Sequence, residues 1–102
     1  MSTTAVSPHQ AAQDIEQYID QRSGPYSAWY CGVATDPEAR LFTDHGVNKQ
    51  GDAWIFRGCA NDTEARQVED YFLKKGCKGA PGGGDRNSRF VYAYRMNSHT
   101  RP

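Results

Sequence analysis

The sequence predicts a small α+β domain in which three helices alternate with three strands. Three helical patterns with capping residues alternate along the chain with three runs of aromatic and β-branched residues of strand length. Apolar residues make up 37% of the 102 residues and aromatic residues 12%, enough for one modest core. We therefore expect a single domain over residues 1–102, with residues 1–6 and 97–102 frayed.

The first helix is predicted to begin after Ser7 and to end near Arg22. Ser7-Pro8-His9-Gln10 combines a capping residue with proline at the first helical position, and Ser23-Gly24-Pro25 is a stop signal. Its apolar residues recur at helical spacing and form one stripe: Ala12, Ile15, Tyr18 and Ile19. This helix is expected to pack and to carry no chemistry.

The chain then forms a strand over residues 29–34 that runs directly into a second helix. Asp36 before Pro37 provides an N-cap and a favourable first residue, and Gly46 ends the helix. The junction brings Tyr30 and Gly32 of the strand close to Arg40 on the first turns of the helix. This arrangement is suited to holding a phosphate.

His45, at the end of the second helix, has two interpretations. Its imidazole would assist phosphate contact, since it donates or shuttles a proton near neutral pH. Alternatively it caps the helix C-terminus, where positive charge is favourable. We favour the cap.

A second strand over residues 53–59 precedes a third helix, and a third strand over residues 89–95 closes the chain. Asn61-Asp62-Thr63-Glu64 is a capping signature, and Gly76 ends the helix near Lys75. The last strand alternates, with Phe90, Tyr92 and Tyr94 on one face.

Glu69 is the most informative residue of the third helix. At 100° per residue it falls inside the apolar stripe formed by Ala65, Val68 and Phe72. A carboxylate aimed at the core is costly unless a cation or hydrogen bonds compensate it. We therefore expect Glu69 either to pair with Arg40 or Arg57, or to serve as a divalent-metal ligand or active-site acid.

Residues 76–85 are rich in glycine. The backbone amides of Gly82, Gly83 and Gly84 could approach an anion closely. However, the segment follows a helix and precedes a strand, the reverse of the order in nucleotide-binding P-loops. A flexible connection is the favoured interpretation, and ligand binding the alternative.

Charge is unevenly distributed along a chain whose formal net charge is zero. Residues 1–73 carry a net charge of −6, whereas residues 74–102 carry +6. A basic C-terminal surface would suit nucleic acid or a phosphorylated ligand, and a solvated tail is the alternative. The three cysteines lack metal-site spacing and are expected to be reduced.

Membrane insertion is not expected. No apolar run approaches the length that spans a bilayer, and the first residues lack the features of a signal peptide. The sequence therefore predicts a cytoplasmic protein without a membrane partner.

Tyr30-Cys31-Gly32, followed by Arg40 and His45, resembles the second half of the GIY-YIG endonuclease signature. In that signature a strand ending in Y-x-G leads into a helix that carries the catalytic arginine. Residues 54–57 resemble the family's next strand. Residues 63–69 resemble the later helix, which bears the metal-binding glutamate.

The resemblance implies a small three-stranded, mainly antiparallel sheet flanked by three helices. It further implies a nuclease that acts on nucleic-acid phosphodiesters with Mg²⁺ or Mn²⁺. Tyr30 would help to activate water, Arg40 would contact the phosphate and Glu69 would bind the metal. Such chemistry is physically sound because a metal ion and a guanidinium both stabilise charge that develops on a phosphate.

The family's first strand is missing from its usual place before Tyr30, but residues 90–95 resemble it. We therefore hypothesise a circular permutation in which the C-terminal strand lies beside residues 29–34. Tyr92 would then take the role of the family's first tyrosine. Asn87 would stand for its final asparagine.

A non-catalytic binding protein is the alternative function. The same cleft would bind a nucleotide or a protein partner, as in a phage-type inhibitor or accessory protein, with Trp29, Tyr30 and the glycine segment lining a pocket for a base and its phosphates. The neutral net charge favours this alternative, because dedicated DNA-binding proteins are usually basic. Exposed strand edges would also allow a homodimer.

Overall fold

The computed structural model describes residues 5–22, 25–79 and 86–102. Its elements are α1 (Pro8–Arg22), a short 3₁₀ turn (Tyr26–Ala28), β1 (Trp29–Ala34), a π-helical segment (Ala39–Asp44), β2 (Trp54–Gly58), α2 (Asp62–Lys75) and β3 (Phe90–Arg95). The predicted α+β fold, with three helices and a three-stranded antiparallel sheet, is confirmed. The predicted stop at Ser23 and Gly24 lies outside the described residues. Within them, no helix has the length and apolar character needed to cross a bilayer.

The strand that comes last in the chain lies in the middle of the sheet. The strand order is β1–β3–β2, and both pairings are antiparallel. In this register Gly32 lies opposite Tyr92, and Gly58 lies opposite Phe90. The predicted position of residues 90–95 beside residues 29–34 is therefore confirmed, while the circular permutation itself stays a hypothesis.

Alternation along the strands gives the sheet two different faces. The face that packs against α1 and α2, here called the helical face, is aliphatic apart from one tryptophan; its strand residues include Trp29, Cys31, Val33, Ile55, Val91 and Ala93. The opposite face, here called the aromatic face, carries Tyr30, Trp54, Phe56, Phe90, Tyr92 and Tyr94. Leu41 of the π-helical segment and Val47 of the following loop pack against this second face.

Two glycines make room for rings on the aromatic face. A Cβ atom built on Gly32 would lie 2.6 Å from the hydroxyl oxygen of Tyr92. A Cβ atom on Gly58 would lie 2.9 Å from the Phe90 ring. Interiors are close-packed, so a side chain at either position would require the facing ring to move.

The second helical segment is wound more loosely than the α-helix that the sequence predicts. Its start is as expected, since the Asp36 carboxylate accepts a hydrogen bond from the Ala39 N–H at 3.1 Å. Its end is different, because the His45 N–H donates to the Arg40 carbonyl, five residues back, at 2.8 Å. Gly46 then terminates the segment with a φ of +71°, as predicted.

The C-terminal residues are tied to the body of the domain, whereas the sequence predicts that they fray. The Arg101 N–H donates to the His45 carbonyl at 2.7 Å, and the Arg101 guanidinium donates to the Thr43 carbonyl at 3.2 Å. The Asn97 side chain donates to the Asp52 carboxylate at 3.0 Å. These contacts join positions more than forty residues apart, so no local sequence pattern predicts them.

The outer edge of β1 is covered by the segment that follows α2. The Cys31 N–H donates to the Lys78 carbonyl at 2.9 Å, and the Lys78 N–H donates to the Trp29 carbonyl at 2.8 Å. Lys78 thereby forms a parallel bridge with Tyr30. This edge of the sheet is occupied by the chain itself.

The outer edge of β2 is blocked mainly by side chains. The Trp54 N–H donates to the Tyr18 hydroxyl at 2.9 Å, and the Arg57 guanidinium donates to the Phe56 carbonyl at 2.8 Å. A third outward group, the Gly58 carbonyl, accepts from the Val6 N–H at 2.8 Å. The exposed edges on which the predicted homodimer depends are therefore not available at these positions.

Candidate active site

Four rings form a compact group on the aromatic face, here called the tyrosine–histidine cluster: Tyr30, Tyr92, Tyr94 and His45. The His45 ring centroid lies 4.7 Å from that of Tyr30, 4.9 Å from Tyr94 and 5.5 Å from Tyr92. The register of β1 and β3 also stacks Tyr30 on Tyr94 at 5.3 Å. The structure thus brings together three predicted site residues, Tyr30, Tyr92 and His45.

Hydrogen bonds define the tautomer of His45. Its Nδ1 lies 2.6 Å from the Arg101 carbonyl oxygen, which can only accept, so Nδ1 carries the hydrogen. In this tautomer Nε2, which lies 2.7 Å from the Tyr92 hydroxyl, accepts a hydrogen bond from it. Burial lowers the pKa of His45. The hydrogen bond to the Arg101 carbonyl opposes this shift, and the positive charge of Arg40 adds to it.

His45 occupies the C-cap position of the π-helical segment, as we favour from the sequence, and its backbone N–H donates to the Arg40 carbonyl. Its side chain, however, is buried instead of exposed at the helix end, and burial lowers its pKa. The hydrogen bonds to Tyr92 and to the C-terminal segment explain the difference, because they hold the ring inside the domain.

Tyr30 is the most accessible phenol of the cluster. It is 9% exposed, against 2% for Tyr92 and 0% for Tyr94. Its hydroxyl makes no hydrogen bond within the part of the chain that the structure describes. Burial raises the pKa of Tyr30, the positive charge of Arg40 opposes that rise and the negative charge of Glu69 adds to it. Both charged residues predicted for the site therefore act on this hydroxyl.

Arg40 borders a small cleft beside the cluster. The cleft has a volume of about 240 Å³ and is lined by Ala34, Thr35, Asp36, Ala39, Arg40, Asp44 and Ser88. The guanidinium is 3.6 Å from the Asp44 carboxylate, and both side chains are about half exposed. Exposed pairs of this kind contribute little stability, so the guanidinium can exchange Asp44 for an anionic ligand at low cost.

Glu69 is buried on the apolar stripe of α2, as its spacing predicts. The expected ion pair with Arg40 or Arg57 is not formed, because Arg40 pairs with Asp44 and Arg57 pairs with Asp14 at 3.0 Å. Among the described residues, none forms a hydrogen bond or salt bridge with the Glu69 carboxylate. Burial raises the pKa of this carboxyl, and the charge of Arg66 only partly opposes that rise.

A divalent cation would find a single protein ligand here. The described residues contain no group of three or more His, Cys, Asp or Glu side chains that could hold a metal ion. Mg²⁺, however, commonly binds through one or two carboxylates, with waters and substrate phosphates completing its shell. One buried carboxylate with no protein partner in the described chain fits that mode of binding.

The remaining predicted site residues are more dispersed. Trp29 is 0% exposed on the helical face, with its ring edge-on to Tyr18, and does not line the Arg40 cleft. Gly32 lies beneath Tyr92, where its role is steric. Asn87 is exposed next to Ser88, which lines the cleft. Gly82, Gly83 and Gly84 lie outside the described residues.

Sequence reasoning did not assign Tyr94, Ser88 or the Arg101 carbonyl to the site. A signal for Tyr94 was present, because it alternates with Tyr92 along one strand and so shares its face. Ser88 and Arg101 gave no such signal. They reach the site through the return of β3 and the docking of the C-terminal segment.

Comparison with known proteins gives no assignment for this arrangement. A scan against protein-family models and searches of curated proteins and of solved structures found no match. The GIY-YIG resemblance stays a prediction that depends on Tyr30, Arg40 and Glu69.

Proposed function

We propose that the protein is a divalent-metal-dependent nuclease that acts on nucleic-acid phosphodiesters. The proposal is carried by one observation, the convergence of residues from distant parts of the chain on Tyr30. Its ring centroid lies 4.7 Å from that of His45 and 6.4 Å from that of Tyr92, and the opposite charges of Arg40 and Glu69 both act on its pKa. A guanidinium, a carboxylate without a partner in the described chain and a phenol are groups suited to phosphodiester hydrolysis.

Arg40 would bind the scissile phosphate. Its exposed guanidinium, freed from Asp44, would contact nonbridging oxygens and stabilise the charge that develops on them. Tyr30 would orient the attacking water, because it is the most exposed of the three tyrosines in the cluster. Tyr92 donates to His45, whose ring is fixed by the Arg101 carbonyl, so this pair can take up or return a proton beside Tyr30.

Glu69 would hold Mg²⁺ or Mn²⁺. When bound, such an ion supplies positive charge that stabilises the phosphate as it is attacked. The buried carboxylate gains a counter-charge in that state, which offsets part of the cost of keeping it ionised in the interior. The metal-bound and metal-free proteins should therefore differ in stability.

The test is incubation of purified protein with plasmid and with short single- and double-stranded DNA, in Mg²⁺, Mn²⁺ or EDTA. Glu69→Gln and Arg40→Ala should each reduce metal-dependent cutting by about 100-fold or more. Asp70→Asn and Arg95→Ala are matched controls, because they remove exposed charges of the same types. A folded wild-type protein that does not cut, or cutting that survives Glu69→Gln, would refute the proposal.

A non-catalytic binding module is the second candidate, and the acidic lining of the cleft favours it. Asp36 and Asp44 share the cleft with Arg40 and weaken its attraction for a polyanion. In that case the cleft would bind a nucleotide or a protein segment. Mg²⁺ or Mn²⁺ should raise the melting temperature of a nuclease through Glu69 and leave that of the binding module unchanged.

A further inference from the structure

The aromatic face continues beyond the tyrosine–histidine cluster as a row of four rings, here called the aromatic row: Phe42, Trp54, Phe56 and Phe90. Successive ring centroids along the row lie 5.0, 6.1 and 6.0 Å apart. Trp54 and Phe56 are nearly parallel, with 15° between their planes, and the two end rings meet them edge-on. All four are partly exposed, in contrast to the buried Tyr92 and Tyr94 on the same face.

A groove of about 630 Å³ runs beside this row. Its lining residues include Tyr18, Glu38, Lys49, Trp54, Phe56 and Gly58. The Trp54 indole N–H donates to the Lys49 carbonyl at 2.9 Å, so the largest ring is fixed in orientation. The row is therefore an ordered, partly open aromatic surface.

A cation lies at each end of the row. The Lys49 ammonium is 5.6 Å from the Phe42 centroid, and the Arg89 guanidinium carbon is 4.4 Å from the Phe90 centroid. Lys49 contacts Glu38 only loosely, at 3.8 Å between exposed side chains. Arg89 donates to the Cys59 carbonyl at 3.0 Å, an acceptor without formal charge. Both charges remain available to a polyanion.

The row leads to the Arg40 cleft. Phe90, its last ring, lies between Gly58 on one side and Ala34 on the other in the register of the sheet. Ala34 and Ser88 line the cleft that Arg40 borders. A chain of bases lying along the row would therefore bring its backbone to the proposed phosphate site.

We infer that the aromatic row is a stacking platform for the unpaired bases of a single-stranded nucleic acid, with Lys49 and Arg89 contacting backbone phosphates. Aromatic side chains stack on any base, and flanking cations follow the phosphates, which is the usual basis of sequence-independent single-strand binding. The inference rests on the proposed nuclease function and names its substrate class as single-stranded DNA or RNA.

Binding measured in EDTA tests the platform separately from cutting. Labelled single-stranded DNA, single-stranded RNA and duplex DNA of about 12 nucleotides suit the site sizes of such platforms. By fluorescence anisotropy, a single strand should bind more tightly than the duplex. Trp54→Leu and Phe56→Leu should each weaken that binding by about 5- to 100-fold, since leucine keeps the apolar bulk but lacks a π-face.

Tyr71→Leu is the matched control. Tyr71 is 41% exposed on α2, and its loss should leave the affinity unchanged. Circular dichroism and thermal melting establish that each variant is folded. Equal affinity of wild type and both leucine variants would overturn the inference, as would a preference for duplex. So would no binding of single strands up to about 100 μM, which would direct the search to a protein partner for the row.

The two proposals fail in different ways. If cutting depends on Glu69 but Phe56→Leu leaves the affinity for single strands unchanged, the nuclease proposal stands and the stacking platform is refuted. If single-strand binding depends on Trp54 and Phe56 but the folded protein does not cut, the platform stands and the nuclease proposal is refuted. The binding module would then be the function.

Discussion

The helical and aromatic faces of the sheet bury different kinds of side chain. The helical face packs Trp29 and mainly aliphatic side chains against α1 and α2, and α2 carries the buried Glu69. The aromatic face buries phenols and an imidazole, and the polar atoms of Tyr92, Tyr94 and His45 find their partners in one another and in the Arg101 carbonyl. Packing accounts for the first face, whereas the second needs a specific hydrogen-bond network. The comparison indicates that stability resides mainly in the helical face, whereas the proposed chemistry combines the aromatic face with Glu69 of α2.

Phe72→Ala should give the largest loss of stability. Phe72 is 0% exposed in the helical core, and removing a buried phenylalanine side chain typically costs about 3–5 kcal/mol. Urea denaturation would measure the loss, and folded Phe72→Ala should bind nucleic acid as wild type does. A loss below about 1 kcal/mol would contradict the assignment of stability to this face.

Gly32→Ala should have the next largest effect, because the new methyl group would collide with the Tyr92 ring. Overpacking of this kind typically costs about 1–3 kcal/mol. A double-mutant cycle with Tyr92→Leu measures the coupling. The alanine substitution should cost less once the ring is gone, whereas strictly additive costs would place the strain elsewhere.

His45 should make stability depend on pH with a known sign. Its folded pKa lies below the ordinary value of 6.5, so the unfolded chain binds the proton more readily. The stability that this histidine contributes is therefore present above pH 6.5 and is lost as the pH falls through the folded pKa. Denaturation of wild type and His45→Gln across this range should show a slope that the variant lacks; His9→Gln, which alters an exposed histidine, should retain it.

Glu69 should give a pH dependence of stability with the opposite sign. Its folded pKa lies above the ordinary value of 4.5, so its contribution to stability is full below that pH and declines as the pH rises through the folded pKa. Without metal, Glu69→Gln should therefore be more stable than wild type near neutral pH, and the gain should shrink towards pH 4.5. A variant less stable than wild type at neutral pH would reveal a partner for the carboxylate.

Local pattern predicted much of this fold and part of the site. Capping residues and periodicity defined both α-helices and all three strands, and the spacing along α2 placed Glu69 in the interior. The pairing of β3 with β1 was expected from the family resemblance. These features depend on residues near one another in sequence or on a known motif.

The long-range polar contacts could not be predicted in this way. The inward turn of His45 depends on Tyr92 and on a carbonyl 56 residues away. The arginines that would have compensated Glu69 instead found aspartates, Asp44 and Asp14, and periodicity does not determine which carboxylate an arginine meets. The site therefore emerges only when the sheet is assembled.

The central position of β3 has a consequence for synthesis. β1 and β2 form no hydrogen bonds with each other, because each pairs with β3, residues 90–95. At about 5–20 residues per second, roughly 3–12 s separate the translation of Ala34 from that of Arg95. During that interval the nascent chain holds two unpaired strands, so any product that stops before Phe90 lacks the sheet, and the sheet forms only after residues 90–95 have been made.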